Sequence, residues 1–145
     1  MRDYDFVLAG GGMAGLSLAF HLVHSPLEDR SVLIIDLDEK MENDRTWCFW
    51  STSDTPYHSI VHKRWNHFWI YGDEYAERIP LAPYDYRMIR GADFYRFVKN
   101  KLERRSNVTF LKARVNELRD VGSRVEVSTS AGTYTGRWVF DSLFL

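Results

Sequence analysis

Three glycines and one aspartate carry the clearest chemistry in this sequence. Gly10, Gly12 and Gly15 fill the three positions of G-x-G-x-x-G, and Asp36 follows Gly15 by 21 residues. In that spacing the first glycine permits a tight turn and the second lets a pyrophosphate approach the backbone. The third lets a helix lie close against a strand. A helix opening at such a turn offers unpaired N–H groups and a partial positive charge to phosphate oxygens. A carboxylate about 20 residues further on is placed for the hydroxyls of a ribose. Together these residues predict a dinucleotide site. The bland alternative is a glycine-rich turn of purely structural meaning. The flanking pattern weighs against it: a buried strand before, a helix after, and a second strand that ends in the acid.

Other reactive side chains say less. Arg45 is a candidate for contact with a ligand phosphate, against the ordinary alternative of a surface salt bridge. Cys48 lies between Trp47 and Phe49, and with nothing nearby to lower its pKa it reads as a buried, inert thiol. His21 and His24 fall on the surface of an expected helix. His58, His62 and His67 are irregularly spaced and lack a carboxylate-bearing helix, so no metal site is expected. Glu74, Glu77 and Asp85 read as surface carboxylates. Eight aromatic residues occupy the 25 positions from Trp47 to Tyr71. They build either a long apolar slot or a sheet packed on the main domain.

These residues need particular elements to hold them. Phe6 to Ala9 is a continuous apolar run, as expected of a parallel strand buried on both faces. Leu16, Ala19, Phe20 and Val23 repeat at helical steps, predicting a helix from Met13 to His24 that Ser25-Pro26 ends. Val32 to Ile35 is a second buried strand. From Leu37 to Pro56 the chain reads as a long loop holding Asp44 to Trp50, of a length that is usually functional. Trp65 to Tyr71 with Glu77 to Pro80 suggests a short antiparallel pair. Tyr86 to Arg90 reads as a strand end, followed by a helix with Asp93 as its N-cap. Phe94, Phe97, Val98 and Leu102 mark that helix's buried face, and Arg96, Lys99, Lys101, Arg104 and Arg105 a solvated basic face. Asn107 to Leu111 is a further buried strand running on towards Asn116 to Asp120. Val125 to Thr129 and Thr133 to Thr135 form a hairpin with one wet face. Trp138 to Phe140 reads as a last, separate buried strand.

The bulk properties bound the rest. A chain of 145 residues allows one domain with a real core. Nineteen basic against twenty acidic residues give a net charge of −1, so there is no electrostatic case for nucleic acid. The single cysteine excludes an internal disulfide and fits a reducing, cytoplasmic compartment. The N-terminus enters the first strand at once and shows no signal peptide. No apolar run approaches the roughly 20 residues needed to span a bilayer. That excludes a spanning helix but not peripheral attachment to the inner face of the cell membrane.

The expected order of strand, helix, strand, loop with small sheet, helix, strand, meander and strand resembles that of the large flavin-dependent oxidoreductases. Their fold class is α/β: a Rossmann-like FAD/NAD(P)-binding fold of three layers, with a parallel sheet and a β-meander. At Asp44-Arg45-Thr46-Trp47-Cys48-Phe49 the chain resembles, more particularly, the bacterial lycopene cyclases. The stretch from Asp5 to Leu16 and that from Tyr86 to Leu102, with Phe94-Tyr95 in its helix, add to the likeness. The resemblance implies non-redox cyclisation of the ends of lycopene to β-rings in carotenoid biosynthesis. It implies reduced FAD as cofactor and NAD(P)H as the reductant that keeps it so. A protonated polyene end becomes a tertiary carbocation, which needs an electron-rich neighbour and a dry apolar pocket. Aromatic faces can assist by cation–π attraction.

Carried over residue by residue, Gly10, Gly12, Gly15 and Asp36 match the flavin fingerprint. Val115 stands where the strand leading into the meander presents its backbone to adenine, and Arg45 is expected to face the cofactor. Trp47, Phe49 and Trp69 are expected to line the substrate pocket, in a small sheet spanning about residues 45–85. The family's catalytic acid lies in a Phe-Leu-Glu-Glu motif that this sequence lacks, so the acid is expected beyond Leu145. Where the family pattern follows Asp141-Ser142 with arginine, this chain has Leu143-Phe144-Leu145. The chain therefore reads as the front, N-terminal part of a longer FAD-binding protein. Two rival readings share its features: a flavin-dependent monooxygenase or prenyl reductase, and a non-catalytic nucleotide-binding fragment. The sequence leaves the oligomeric state open.

Overall fold

The computed structural model describes residues 2–143; Phe144 and Leu145, which depart from the family pattern, lie outside the described residues. Eleven strands and two α-helices run in the order β1 (Arg2–Ala9), α1 (Met13–Leu22), β2 (Val32–Asp36), β3 (Thr46–Ser51), β4 (Lys63–Trp65), β5 (His67–Gly72), β6 (Tyr75–Pro80), β7 (Asp85–Arg90), α2 (Gly91–Leu102), β8 (Val108–Lys112), β9 (Val115–Asp120), β10 (Val125–Thr129) and β11 (Gly132–Asp141). A single 3-10 turn, His58–Ile60, precedes β4. The chain divides into two compact units, one of Met1–Met41 with Tyr95–Leu145 and one of Glu42–Phe94.

The first unit is built on a six-stranded sheet of order β8-β2-β1-β11-β10-β9. β8, β2, β1 and β11 are parallel neighbours, while β9, β10 and β11 form an antiparallel meander. The continuous apolar runs of β1 and β2 are buried on both faces, and Val7, Leu8, Leu33 and Ile35 expose none of their surface. Each such side chain contributes about 1.5–3 kcal/mol relative to an exposed one. Val7, Ala9, Leu33 and Ile35 pack with Val115 and Val127 of the meander. Leu8, on the other face of β1, lies against α1 at Gly15. β1 and β2 are also tied at their start. Asp5 Oδ2 accepts the Ser31 N–H and hydroxyl, both at 2.9 Å, and Ser31 Oγ accepts the Asp5 N–H at 2.9 Å. The backbone N–H of Ser31 is the main reason the Asp5 carboxyl is held below its usual range.

Three expectations for this unit need correction. The helix after the glycines ends at Leu22 rather than His24, with a Val23 N–H still reaching the Ala19 carbonyl. Thr133–Thr135 and Trp138–Phe140 are one strand, because β11 pairs with β10 at its start and with β1 along its length. Gly136, at the crossover between the two pairings, lets that strand lie against Val7, whose methyl would be 2.8 Å from an added Cβ. Trp138 and Phe140 are 59% and 42% exposed rather than buried. An α/β sheet buries such residues only where helices cover it, and α1 lies against β1 and β2 instead.

The second unit holds a three-stranded antiparallel sheet, β3-β7-β4, and the hairpin β5-β6. The hairpin matches the expected pair. The expected loop from Leu37 to Pro56 does not persist, since Thr46–Ser51 forms β3. Its half-buried positions alternate, with Trp47 and Phe49 inward of Thr46, Cys48 and Trp50, as a strand with one covered face requires. Its partner β7 comes some way along the chain, after the hairpin, so no local turn announces the pairing. Asp93 lies in the first turn of α2, inside the helix rather than at its cap, and accepts Arg90 Nε at 2.7 Å. Carboxylates in the first turn also favour the helix dipole.

Candidate functional site

The glycine turn joins β1 to α1 and its geometry assigns each glycine a different task. Gly10 has φ +113°, and its N–H reaches the Ile35 carbonyl of β2 at 2.8 Å. A Cβ there would meet the Ser142 hydroxyl at the end of β11, so backbone angle and space both require glycine. At Gly15 a Cβ would run into the Gly10 carbonyl, which is the close helix–strand approach that the spacing predicts. Gly12 differs: a Cβ there would meet nothing within 4 Å. It is the N-cap of α1, and α1 has no side-chain cap and no acidic residue in its first turn. The first N–H groups of the helix are therefore not taken up by a cap side chain, in front of open space at the one glycine of this turn that meets no neighbour.

Asp36 stands at the end of β2 beside this turn. Its Oδ2 accepts the Gly11 N–H at 2.7 Å and its Oδ1 the Asp38 N–H at 2.8 Å. Each oxygen has a second lone pair, so the carboxylate keeps capacity for two ribose hydroxyls. Lys40 Nζ lies 3.6 Å from both Asp36 Oδ1 and Asp38 Oδ2, with its backbone held at φ 53°. The Lys40 N–H donates to Asp38 Oδ1 at 2.9 Å and is the main reason the Asp38 carboxyl lies below its usual range. Past Asp36 opens a cavity of about 150 Å³, lined by Ile35, Asp36, Ala113, Arg114, Val115 and Leu143. The structure thus brings Asp36 and Val115 to one cavity. An adenosine diphosphate moiety would find here open helix N–H groups, a carboxylate and a partly apolar cavity. The residues present fit that group.

Sequence reasoning missed Gly11 and Lys40. A Cβ on Gly11 would lie 3.2 Å from Asp36 Cβ, so this glycine is what lets the carboxylate reach the turn. The run of three glycines was a signal for it; nothing comparable marks Lys40.

Arg45 belongs to the second unit and lies just before β3. Its side chain is 72% exposed, with Nε 3.6 Å from the Asp44 carboxylate. The same unit carries its aromatics on two faces of the β3-β7-β4 sheet. Trp47 and Phe49 pair with Ile89 and Arg87, and Trp47 packs edge-on against Phe94 at 5.2 Å. Trp50 lies on the opposite face, 4.8 Å from the ring of Tyr86, which is in turn 5.8 Å from Trp65. Trp69, Phe68, His67 and Leu81 join those three around an open groove of about 480 Å³. Of the three expected pocket residues, Trp69 lines this groove, while Trp47 and Phe49 face away from it.

Two further expectations are corrected in this unit. Cys48 is exposed, not buried. It shares a face with Tyr86, whose phenol is pushed up chiefly by the hydrogen bond with the Cys48 thiol. Asp85 is not a plain surface acid. It accepts Arg87 Nε at 2.6 Å and Nη2 at 3.2 Å, with Arg64 Nε 3.2 Å away. Arg87 is 3% exposed, and its Nη1 has no hydrogen-bond partner, the nearest acid oxygen being Asp54 Oδ1 at 3.6 Å. The hydrogen bond from Arg87 is the main reason the Asp85 carboxyl lies below its usual range.

A mostly parallel sheet, a glycine turn and an acidic strand end define a Rossmann-like FAD/NAD(P)-binding fold. Comparison with solved structures agrees. A mutant of PqsL from Pseudomonas aeruginosa superposes with a TM-score of 0.77 at 16% identity, over 95% of this chain and 42% of that one. The p-nitrophenol 4-monooxygenase PnpA from Pseudomonas putida gives 0.67 at 17% identity, over 96% and 40%. A thioredoxin reductase from Gloeobacter violaceus gives 0.54 at 17% identity, over 95% and 33%. This chain therefore spans less than half the length of each of these structures. A family model described as "Lycopene cyclase protein" matches residues 5–144, and the chain belongs to that family. No curated protein matches the sequence. Among the described residues no helix is long and apolar enough to cross a membrane.

Proposed function

We propose that this chain binds FAD and serves a lycopene cyclase that closes the ends of lycopene to β-rings without net redox change. One observation carries the cofactor part: the turn at Gly12 is open while the turns at Gly10 and Gly15 are filled. A glycine kept where the fold leaves space fits a ligand that must approach the backbone. Family membership supports the reaction, and the description of PqsL as "a probable FAD-dependent monooxygenase" supports the choice of FAD among dinucleotides.

In this reading α1 holds the pyrophosphate at its N-terminus, Asp36 takes the ribose hydroxyls and Val115 presents its backbone to adenine. Gly10 and Gly15 set the turn. Arg45, exposed and only loosely paired, remains a contact for the cofactor's outer edge. Bound and reduced by NAD(P)H, the flavin supplies an electron-rich face beside a developing cation. The substrate is a hydrocarbon of the membrane interior, so the protein meets it by peripheral contact at the cytoplasmic face. No acid of this chain is assigned as the proton donor.

Expression of the complete coding sequence in cells that accumulate lycopene tests the proposal. The expected result is loss of red lycopene and gain of a β-ring carotenoid, abolished by Asp36→Ala. Unchanged lycopene alongside soluble, flavin-loaded protein would overturn it. A reduced or oxygenated product would instead favour the prenyl reductase or monooxygenase.

A further inference from the structure

We propose that Lys40 is a ribose-binding residue: its ammonium donates to the hydroxyls that Asp36 accepts, and the pair selects the vicinal diol of an adenosine ribose over a deoxyribose. This rests on the cofactor part of the reading above and not on the cyclisation. It adds to that reading a residue and a specificity.

Two short turns deliver the lysine. Asp36 Oδ1 accepts the Asp38 N–H at 2.8 Å, and Asp38 Oδ1 accepts the Lys40 N–H at 2.9 Å. Each aspartate curls the chain two residues on, as its short acceptor side chain allows. Lys40 ends at φ 53°, in the left-handed region that residues other than glycine and asparagine seldom adopt. Its side chain lies back beside Asp36, and the two are only 20% and 19% exposed. The Gly11 N–H holds the other oxygen of the carboxylate, so Asp36 faces the lysine in a fixed orientation.

Lys40 and Asp36 line a cavity of about 80 Å³ together with Gly11 of the glycine turn and two further lysines, Lys99 and Lys112. Those two lysines already hold partners. Lys99 Nζ donates to the Glu39 carbonyl at 2.9 Å, and Lys112 Nζ to the Glu39 carboxylate at 2.8 Å. Lys40 Nζ differs. It stands 3.6 Å from Asp36 Oδ1 and 3.6 Å from Asp38 Oδ2, within charge attraction but beyond hydrogen-bond range. Its donors stay available in a place largely shielded from water.

That spacing fits a hydroxyl. An oxygen about 2.8 Å from both Nζ and Oδ1 closes an unstrained triangle on the 3.6 Å edge. A hydroxyl both donates and accepts, so it gives its proton to Asp36 and takes one from Lys40. The carboxylate alone meets only the first need. A phosphate in the same place would accept from Lys40 but would face the carboxylates of both Asp36 and Asp38. The pair therefore suits a neutral diol better than an anion.

The test titrates the complete protein, stripped of flavin, with FAD and with an FAD analogue whose adenosine carries 2′,3′-dideoxyribose, following flavin fluorescence. Lys40→Met should weaken FAD binding about tenfold and leave the analogue's affinity within about twofold of the parent's. Lys40→Gly suits the left-handed backbone but lacks the ammonium. It should lose FAD affinity to the same extent while melting no earlier than the parent, which separates the lost contact from a disturbed turn. Equal weakening of FAD and the analogue would make the lysine a structural residue and overturn the proposal. Parent-level FAD affinity in both variants would overturn it too, and in either case FAD binding itself would stand. A parent that takes up no FAD would instead defeat the cofactor reading, and this proposal with it.

Discussion

The glycines of the first turn separate ligand binding from folding at single-residue resolution. Gly12→Ala adds a methyl where nothing lies within 4 Å, at a backbone angle, φ −76°, that alanine adopts freely. Its melting temperature should therefore stay close to that of the parent while bound flavin drops at least about tenfold, because the methyl occupies pyrophosphate space. Gly15→Ala should do the reverse, destabilising the protein by about 1–3 kcal/mol through a clash with the Gly10 carbonyl. Thermal melts and the flavin-to-protein absorbance ratio read both effects. Equal flavin loading in the Gly12 variant would mean that the turn is structural only. Gly10, Gly12, Gly15 and Asp36 were legible because their chemistry depends on spacing along the chain. Lys40 was not, because its place depends on two successive Asp-headed turns bringing Nζ back to Asp36.

At the scale of elements, what was legible follows contact distance. The β1-α1-β2 unit and the β5-β6 hairpin join near neighbours and carry their own periodicity. β3 was missed because β7, its partner, lies beyond β4 and the β5-β6 hairpin. Once formed, that pairing buries Arg87 with its Asp85 partner, an ion pair no sequence pattern announced. Arg87→Leu should lower the melting temperature, since it takes the main hydrogen-bonding cation from Asp85 and leaves it Arg64. Acid should act through the same group and through Asp5. Both carboxyls sit below the ordinary value of 3.8 when folded, so their contributions are complete above that pH. They are lost as pH falls through the lower folded values. Denaturation midpoints should accordingly hold steady from neutrality to about pH 4 and decline below it. The decline should be shallower in Asp5→Asn, and an unaltered acid limb in that variant would contradict the Asp5–Ser31 tie.

For the whole molecule, the sheet order places the chain in a fold shared with monooxygenases and a thioredoxin reductase, and fold alone does not choose among their chemistries. Family membership supports the cyclisation proposed above, and that reaction has an unusual balance. A proton enters at one carbon of the polyene end, a ring bond forms, and a proton leaves from another carbon, so product and substrate are isomers. A nicotinamide-dependent reductase or monooxygenase of the same fold would spend one nicotinamide per product. The most direct measurement is therefore turnover of lycopene by the complete, flavin-reduced protein in heavy water, with NADPH oxidation followed in the same vessel. The account predicts β-ring product carrying one solvent deuterium for each ring closed, with no NADPH consumed beyond that needed to reduce the flavin. NADPH oxidation in step with product, or a product differing from lycopene by added hydrogen or oxygen, would contradict it.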